Sequence, residues 1–228
     1  MDFLHFISEP VKWTDVGLLL IAALTAFFAV RQIRETGRQI NISQQSAISD
    51  HERSRRMSAV DLCIQWTQFL EPEIRAIAKL FENFTEQQCI TVSDFRPMKV
   101  SADEIHVLNS IFSNRAGFIA FQETDISDGS LTLSPSQVLF LRHSVLKYLN
   151  MLESVLLSYT QSTANKQIIM EEFKYIFEEH EQETALDNFR RAVGNENYPS
   201  INIFIREIKR KKAQIAHDLA KKELETHS

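Results

Sequence analysis

The chain predicts an all-α fold in three parts: one N-terminal transmembrane helix (residues 1–30 with its leading segment), a helical stalk (31–56) and a cytoplasmic multi-helix bundle (57–228). Three observations carry this expectation. The 228 residues hold five glycines and five prolines, too few to punctuate the many short strands of a sandwich or barrel. Apolar residues recur at spacings of three and four after residue 57. Residues 16–30, VGLLLIAALTAFFAV, carry no charge and only one polar side chain, Thr25. With 44% hydrophobic and 24% charged residues, collagen, low complexity and wholesale disorder are excluded.

The apolar run comes first. At 1.5 Å per residue, a helix from Trp13 to Val30 spans about 27 Å, close to the roughly 30 Å of a bilayer's hydrocarbon layer. Trp13 and Arg31 then fall at the two interfaces. A cleaved secretory signal fits poorly: Asp2, Glu9, Lys12 and Asp15 precede the run, where such a signal is positive, and Arg31, Ile33 and Arg34 follow without a turn. A buried core helix is usually shorter and interrupted by a polar face. Arg31, Arg34 and Arg38 follow the run whereas only Lys12 precedes it, so the C-terminal bulk is expected on the cytoplasmic side. Phe3, Leu4, Phe6 and Ile7 suit a short amphipathic turn in the outer interface.

Residues 31–56 are polar, with Ile33, Ile40, Ile42, Ala47 and Ile48 scattered among them. Ile33, Ile40 and Ala47 repeat at seven, but the companion seam would be Gly37, Gln44 and His51, which supplies no dry heptad core. This predicts a helical stalk with Arg53, Arg55 and Arg56 near its base.

From Met57 apolar density rises. Met57, Val60, Leu62, Cys63, Ile64, Trp66, Phe69 and Leu70 predict a first bundle helix with a wide buried face. Pro72 suits the first turn of a second helix, faced by Ile74, Ile77, Leu80 and Phe81. The pattern breaks over 85–99. Ser101 and Glu104 then read as a capping box opening a third helix through Ile105, Leu108, Ile111 and Phe112. Residues 117–122 read as either a short buried helix or a docked loop, and 125–134, with Asp128 and Gly129, as a connection. Ser134 and Pro135 start a long central helix to about Tyr159, its stripe Val138, Leu141, Val145, Leu149, Leu152, Val155 and Leu156. Asn165 opens the next helix, Leu186, Phe189 and Val193 mark a short one stopped by Gly194, and Pro199 begins the last, through Ile201, Phe204, Ile208, Ile215 and Leu219. Trp66, Phe69, Phe81, Phe112, Phe173, Phe177, Phe189 and Phe204 all fall on stripes expected to be core.

The search for chemistry is mostly one of exclusion. No HExxH motif occurs, and His106, His143, His180 and His217 lie on separate helices without ExxH spacing, so no metal is expected. No glycine cluster forms a phosphate-binding loop, and no GxSxG elbow occurs. Cys63 reads as a core thiol and Cys89 as a loop thiol, with no disulfide between them. A net charge of −5 disfavours nucleic acid as a partner. Charge is uneven, however. Arg206, Lys209, Arg210, Lys211, Lys212, Lys221 and Lys222 face only Glu207 and Asp218 in their stretch. Lys209, Arg210, Lys211 and Lys212 are therefore candidates for contact with anionic lipid, each worth roughly 1 kcal/mol near such a surface.

The order of features resembles a loose group of uncharacterised bacterial single-pass membrane proteins with an arginine-bearing stalk and a cytoplasmic all-helical domain. The matching stretches are residues 55–66 (RRMSAVDLCIQW) and 146–177 (LKYLNMLESVLLSYTQSTANKQIIMEEFKYIF). That resemblance implies a helical domain tethered to the bacterial inner membrane and carries no catalytic residues.

The function expected from all this is a membrane-anchored interaction or sensing module, not an enzyme and without a cofactor. Its expected partners are membrane lipid, further copies of itself and an unidentified protein. Two other functions stay open: a membrane-perturbing stress or phage-defence effector activated by assembly, and a hydrolase or nuclease with a dispersed site.

Overall fold

The computed structural model describes residues 13–113, 119–177 and 186–226. Among these residues it holds eight α-helices and one small sheet, and its contacts divide the chain into two compact units, Met1–Arg53 and Ser54–Ser228. The first helix, α1 (Trp13–Phe69), is a single element of 57 residues that contributes to both. The expected transmembrane, stalk and first bundle segments are thus all helical without a break between them. The amphipathic turn expected around Phe3 to Ile7 lies outside the described residues.

In the first unit, α1 carries one segment long and apolar enough to cross a membrane. Its most apolar 18-residue window has a mean hydropathy of 2.0, and none of that window is buried. Thr25, the one polar side chain in the run, donates its hydroxyl to the Ile21 carbonyl four residues back at 2.7 Å, so it asks nothing of its surroundings.

The second unit is built on α5 (Pro135–Thr160). Ser134 and Gln137 form a capping box at its start, with Pro135 in the first turn, as the sequence predicts. Val138, Leu141, Val145, Leu149, Leu152, Val155 and Leu156 are all fully buried. Leu139, His143, Lys147, Asn150, Ser154 and Leu157 form the exposed stripe on its other side. Against α5 pack α2 (Pro72–Glu82), α3 (Glu86–Ser93), α6 (Lys166–Phe173) and α8 (Pro199–Thr226). The remaining helices are α4 (Ile105–Phe112), which lies on α2, and α7 (Asp187–Val193), which lies on α3. The Trp66 ring sits 5.3 Å from both Tyr148 and Phe173, and Phe81 meets Phe189 edge-on at 5.0 Å.

Several expectations need correction. The bundle end of α1 buries Ala59 and Trp66, with Leu62, Cys63 and Phe69 half-covered and Leu70 buried just past its end; Met57, Val60 and Ile64 are exposed. At about 100° per residue these three lie on a different face from Ala59 and Trp66, so the buried stripe is narrower than the apolar stretch. The pattern break over 85–99 hides α3, whose Thr85–Gln88 capping box secures a short, polar helix. It also hides the strand β1 (Met98–Ser101). Ser101 does not pair with Glu104: its hydroxyl accepts the Asp103 N–H and opens a 3-10 turn, and Glu104 instead takes the Asn83 amide. The connection at 125–134 is a hairpin of β2 (Ile126–Ser127) and β3 (Ser130–Leu133), with Asp128 and Gly129 at φ 53° and 68° as its two turn residues. In the antiparallel order β1-β3-β2, Met98 faces Leu133 and Val100 faces Leu131, which puts four buried apolar side chains on one side. The alternative left open at 117–122 resolves, in its described part, to the loop: Ile119 is 86% exposed, while Asn109 clamps the Phe121 backbone with two hydrogen bonds. The thiols exchange roles as well, Cys89 being fully buried on α3 and Cys63 only half-buried on α1.

One buried charge stiffens the C-terminal part. Arg190 is 1% exposed, and its guanidinium donates to Asp187 at 2.8 Å, Asn202 at 2.7 Å and Asn195 at 3.2 Å. Burial pulls its pKa down, and Asp187 opposes that pull. Gly194, at φ 99°, ends α7 where a Cβ would come within 2.7 Å of the Glu196 carboxylate.

Candidate functional site

Two turns and one carboxylate bring α6 alongside α8. Helix α5 ends in a Schellman motif: the Ser162 N–H reaches the Tyr159 carbonyl and the Thr163 N–H the Ser158 carbonyl, with Ser162 at φ 59° in the place glycine usually takes. The chain then enters α6 through Asn165, whose Oδ1 accepts the N–H groups of Gln167 and Ile168, both at 3.1 Å. The start of α8 is held to α5 by Glu153, which accepts the Ser200 N–H at 2.8 Å and the Ile201 N–H at 3.0 Å. A carboxylate at a helix N-terminus satisfies open backbone donors and suits the helix dipole.

Between α6 and α8 lies a cleft of about 630 Å³. On α6 and the turn that follows it, Lys166, Met170 and Lys174 recur every four residues; on α8, Ile208, Lys211, Lys212 and Ile215 recur at spacings of three and four or seven. Both sets therefore present a single face. Buried Met170, Ile208 and Tyr159 form an apolar floor. Half-buried Lys166 and exposed Lys174, Lys211 and Lys212 also line it, and Ile215, 60% exposed, extends the apolar surface along α8.

The electrostatics follow from the partners. The Tyr159 hydroxyl donates to the Glu207 carboxylate. Burial first, then that hydrogen bond and the Glu207 charge, push the phenol's pKa up, while Arg210 pulls the other way. Tyr159 is therefore neutral, and its ring lies 5.2 Å from the Lys166 ammonium, within cation–π range. Glu171, the acidic group at the cleft, accepts the Gln167 amide at 3.0 Å. Among the described residues, Lys174, Lys211 and Lys212 make no ion pair.

The candidate residues from the sequence divide accordingly. Lys211 and Lys212 line the cleft; Lys209 and Arg210 sit exposed on α8 and do not. Arg31, Arg34 and Arg38 are exposed on α1, and Trp13 is its first residue, with a side chain outside the described part. Sequence reasoning missed Lys166, Lys174 and Tyr159. The lysine–methionine–lysine stripe of α6 was visible as a pattern, but nothing linked it to lysines 37 or more positions away along the chain.

Neither thiol is set up as a nucleophile. Burial raises the Cys63 pKa, with help from Glu172, and drives that of Cys89 up to about 12 with help from Glu86, so both thiols are protonated and poorly nucleophilic at neutral pH. Among the described residues no three His, Cys, Asp or Glu side chains group to hold a metal ion. The cleft instead suits non-covalent binding of an anion. No protein family, no curated protein and no solved structure matches this chain.

Proposed function

We propose that the chain is a single-pass membrane protein whose helical domain serves as an interaction or sensing module on the cytoplasmic face of a bacterial inner membrane, without catalysis of its own. One observation carries the reading: the apolar run of residues 16–30 is exposed along nearly its whole length. Burying an exposed Leu or Phe is worth about 1.5–3 kcal/mol, so water is a poor solvent for this segment and hydrocarbon a good one. Arg31, Arg34 and Arg38 beyond the run favour a cytoplasmic C-terminal side. Confinement to a bilayer raises the domain's effective concentration toward membrane-bound partners and further copies of itself.

Alkaline extraction of membranes from expressing cells, paired with protease added from the periplasmic side, tests the proposal. The full chain stays in the pellet and its C-terminal domain resists the protease. Recovery of intact chain in the detergent-free supernatant overturns the tether, and cleavage of the domain from outside overturns the orientation.

A further inference from the structure

We propose that the α6–α8 cleft is a binding site for an anionic amphiphile, a molecule carrying a phosphate head on an apolar chain. The inference deepens the sensing reading and rests on it for what the domain senses. Three features converge. A volume of about 630 Å³ lies within the usual range of small-molecule pockets, about 300–1,000 Å³. Lys166, Lys174, Lys211 and Lys212 line it from two elements, while among the described lining residues Glu171 is the one acid, its Oε1 engaged by Gln167, and nearby Glu207 is held by the Tyr159 hydroxyl. Like charges brought together at this density repel, and an anion seated among them converts that repulsion into attraction.

The floor sets the second requirement. Met170, Ile208 and the ring of Tyr159 form a floor that inorganic phosphate alone would leave uncovered, and Ile215 continues the apolar surface outward along α8. An acyl chain laid on this surface buries area on both partners while its head remains among the ammonium groups. Methionine suits such a wall because its side chain adapts to irregular chains. Lysine, a mobile point charge with three donors, matches a tetrahedral phosphate; planar carboxylate heads favour the arginine fork, and among the described residues no arginine lines the cleft. That phosphate reaches the cleft either as the headgroup of a bilayer lipid or as a dispersed acyl phosphate, with the same contacts in both cases.

Calorimetric titration of the full chain in phosphatidylcholine nanodiscs tests the site. Its arms are dispersed short-chain phosphatidic acid, short-chain phosphatidylcholine, inorganic phosphate, and nanodiscs enriched in phosphatidic acid. Saturable binding of dispersed phosphatidic acid is expected, with the other two soluble probes weaker by at least tenfold. If bilayer lipid is the source, enriched nanodiscs abolish the titration; if a dispersed molecule is, they leave it intact. The Lys211→Gln/Lys212→Gln pair weakens binding roughly thirtyfold, taking each lysine at about the value of a basic residue near an anionic surface. Arg206→Gln/Lys209→Gln, which removes the same charge from exposed positions of the same helix outside the cleft, changes binding by less than threefold, and Ile215→Asn, an exposed position, weakens it without disturbing the fold.

Equal losses from the two charge pairs would reduce the effect to diffuse attraction and overturn the site. Inorganic phosphate binding as tightly as phosphatidic acid would overturn the role of the chain; phosphatidylcholine doing so would overturn that of the head. Absence of saturable phosphatidic acid binding by the wild-type chain overturns the proposal outright. Retention in the alkaline pellet is read separately, so a failed cleft leaves the tether standing.

Discussion

Residues 16–30 of α1 and the whole of α5 are both strongly apolar helical stretches, and the structure treats them in opposite ways. In α5 seven apolar residues share one side and are fully buried, while the stripe that faces out, though it includes Leu139 and Leu157, carries His143, Lys147, Asn150 and Ser154. In α1 leucine, isoleucine, alanine and phenylalanine occur all round the helix, and Leu18, Leu19, Leu20, Ile21, Leu24 and Phe27 are each more than half exposed. Apolar content alone therefore does not decide burial; its periodicity does. A helix with one polar side has an orientation in which protein covers one face and water wets the other. A helix without one needs an apolar surrounding on every side, which a bilayer supplies.

The strongest way to break this comparison is to shorten one leucine in each stretch. Leu152→Ala is expected to lower the domain's unfolding free energy by about 2–5 kcal/mol, the range for a buried leucine truncation. Leu20→Ala leaves the same transition within about 0.5 kcal/mol. Denaturant unfolding of the full chain in mild detergent, followed by tryptophan fluorescence, measures both, and equal effects would erase the distinction. A charge in the run comes next: Ala23→Arg is expected to disfavour membrane insertion by about 2.5–3.5 kcal/mol, seen as a shift of protein from pellet to supernatant, without moving the unfolding midpoint.

Alkali separates the regions by titration. Cys89 ionises near its ordinary value of 9 when unfolded but at about 12 in the folded domain, so the unfolded state sheds its proton first. The stability that this thiol contributes is complete below pH 9 and disappears as pH climbs through 12. Residues 16–30 contain no ionisable side chain, so retention in the membrane is flat across the same window. Circular dichroism and pelleting over that range read the two behaviours, and Cys89→Ala flattens the slope of the first. In the native state a thiol reagent labels half-buried Cys63 well before Cys89.

The smallest effect is local. Ser162 holds a left-handed conformation with a β-carbon, so Ser162→Gly should stabilise the domain by about 0.5–1 kcal/mol, measured by thermal unfolding, and leave membrane retention unchanged.

These cases also explain what was legible in the sequence. Helix α5 was readable because its cap, its proline and seven periodic apolar residues agree. Helix α3 was not, because eight residues of mixed polarity carry too short a period, and its Thr85–Gln88 box stands in a stretch that Pro97 marks as irregular. The hairpin announced itself only through Asp128 and Gly129, since strands of two and four residues show almost no alternation. On α8 the run from Lys209 to Lys212 was legible as basic, but nothing in it told that Lys211 and Lys212 line a cleft and Lys209 and Arg210 do not. The other lysines come from α6 and the turn that follows it, and the meeting of the two sets depends on the Schellman turn at Ser162 and on the grip of Glu153, neither of which leaves a periodic trace.

That grip has a mechanical corollary. Helix α8 is clamped where Glu153 seizes its first turn and supported as far as Ile208; from Lys209 to Lys222 every side chain is exposed, so the remainder projects as a cantilever. A cantilever deflects least beside its support and most at its tip. Lys211 and Lys212, one turn past the last buried residue, occupy the stiffest part of the overhang, where two ammonium groups can keep a constant gap from α6 while the turns beyond them sway. Amide exchange should accordingly quicken step by step from Ile208 outward.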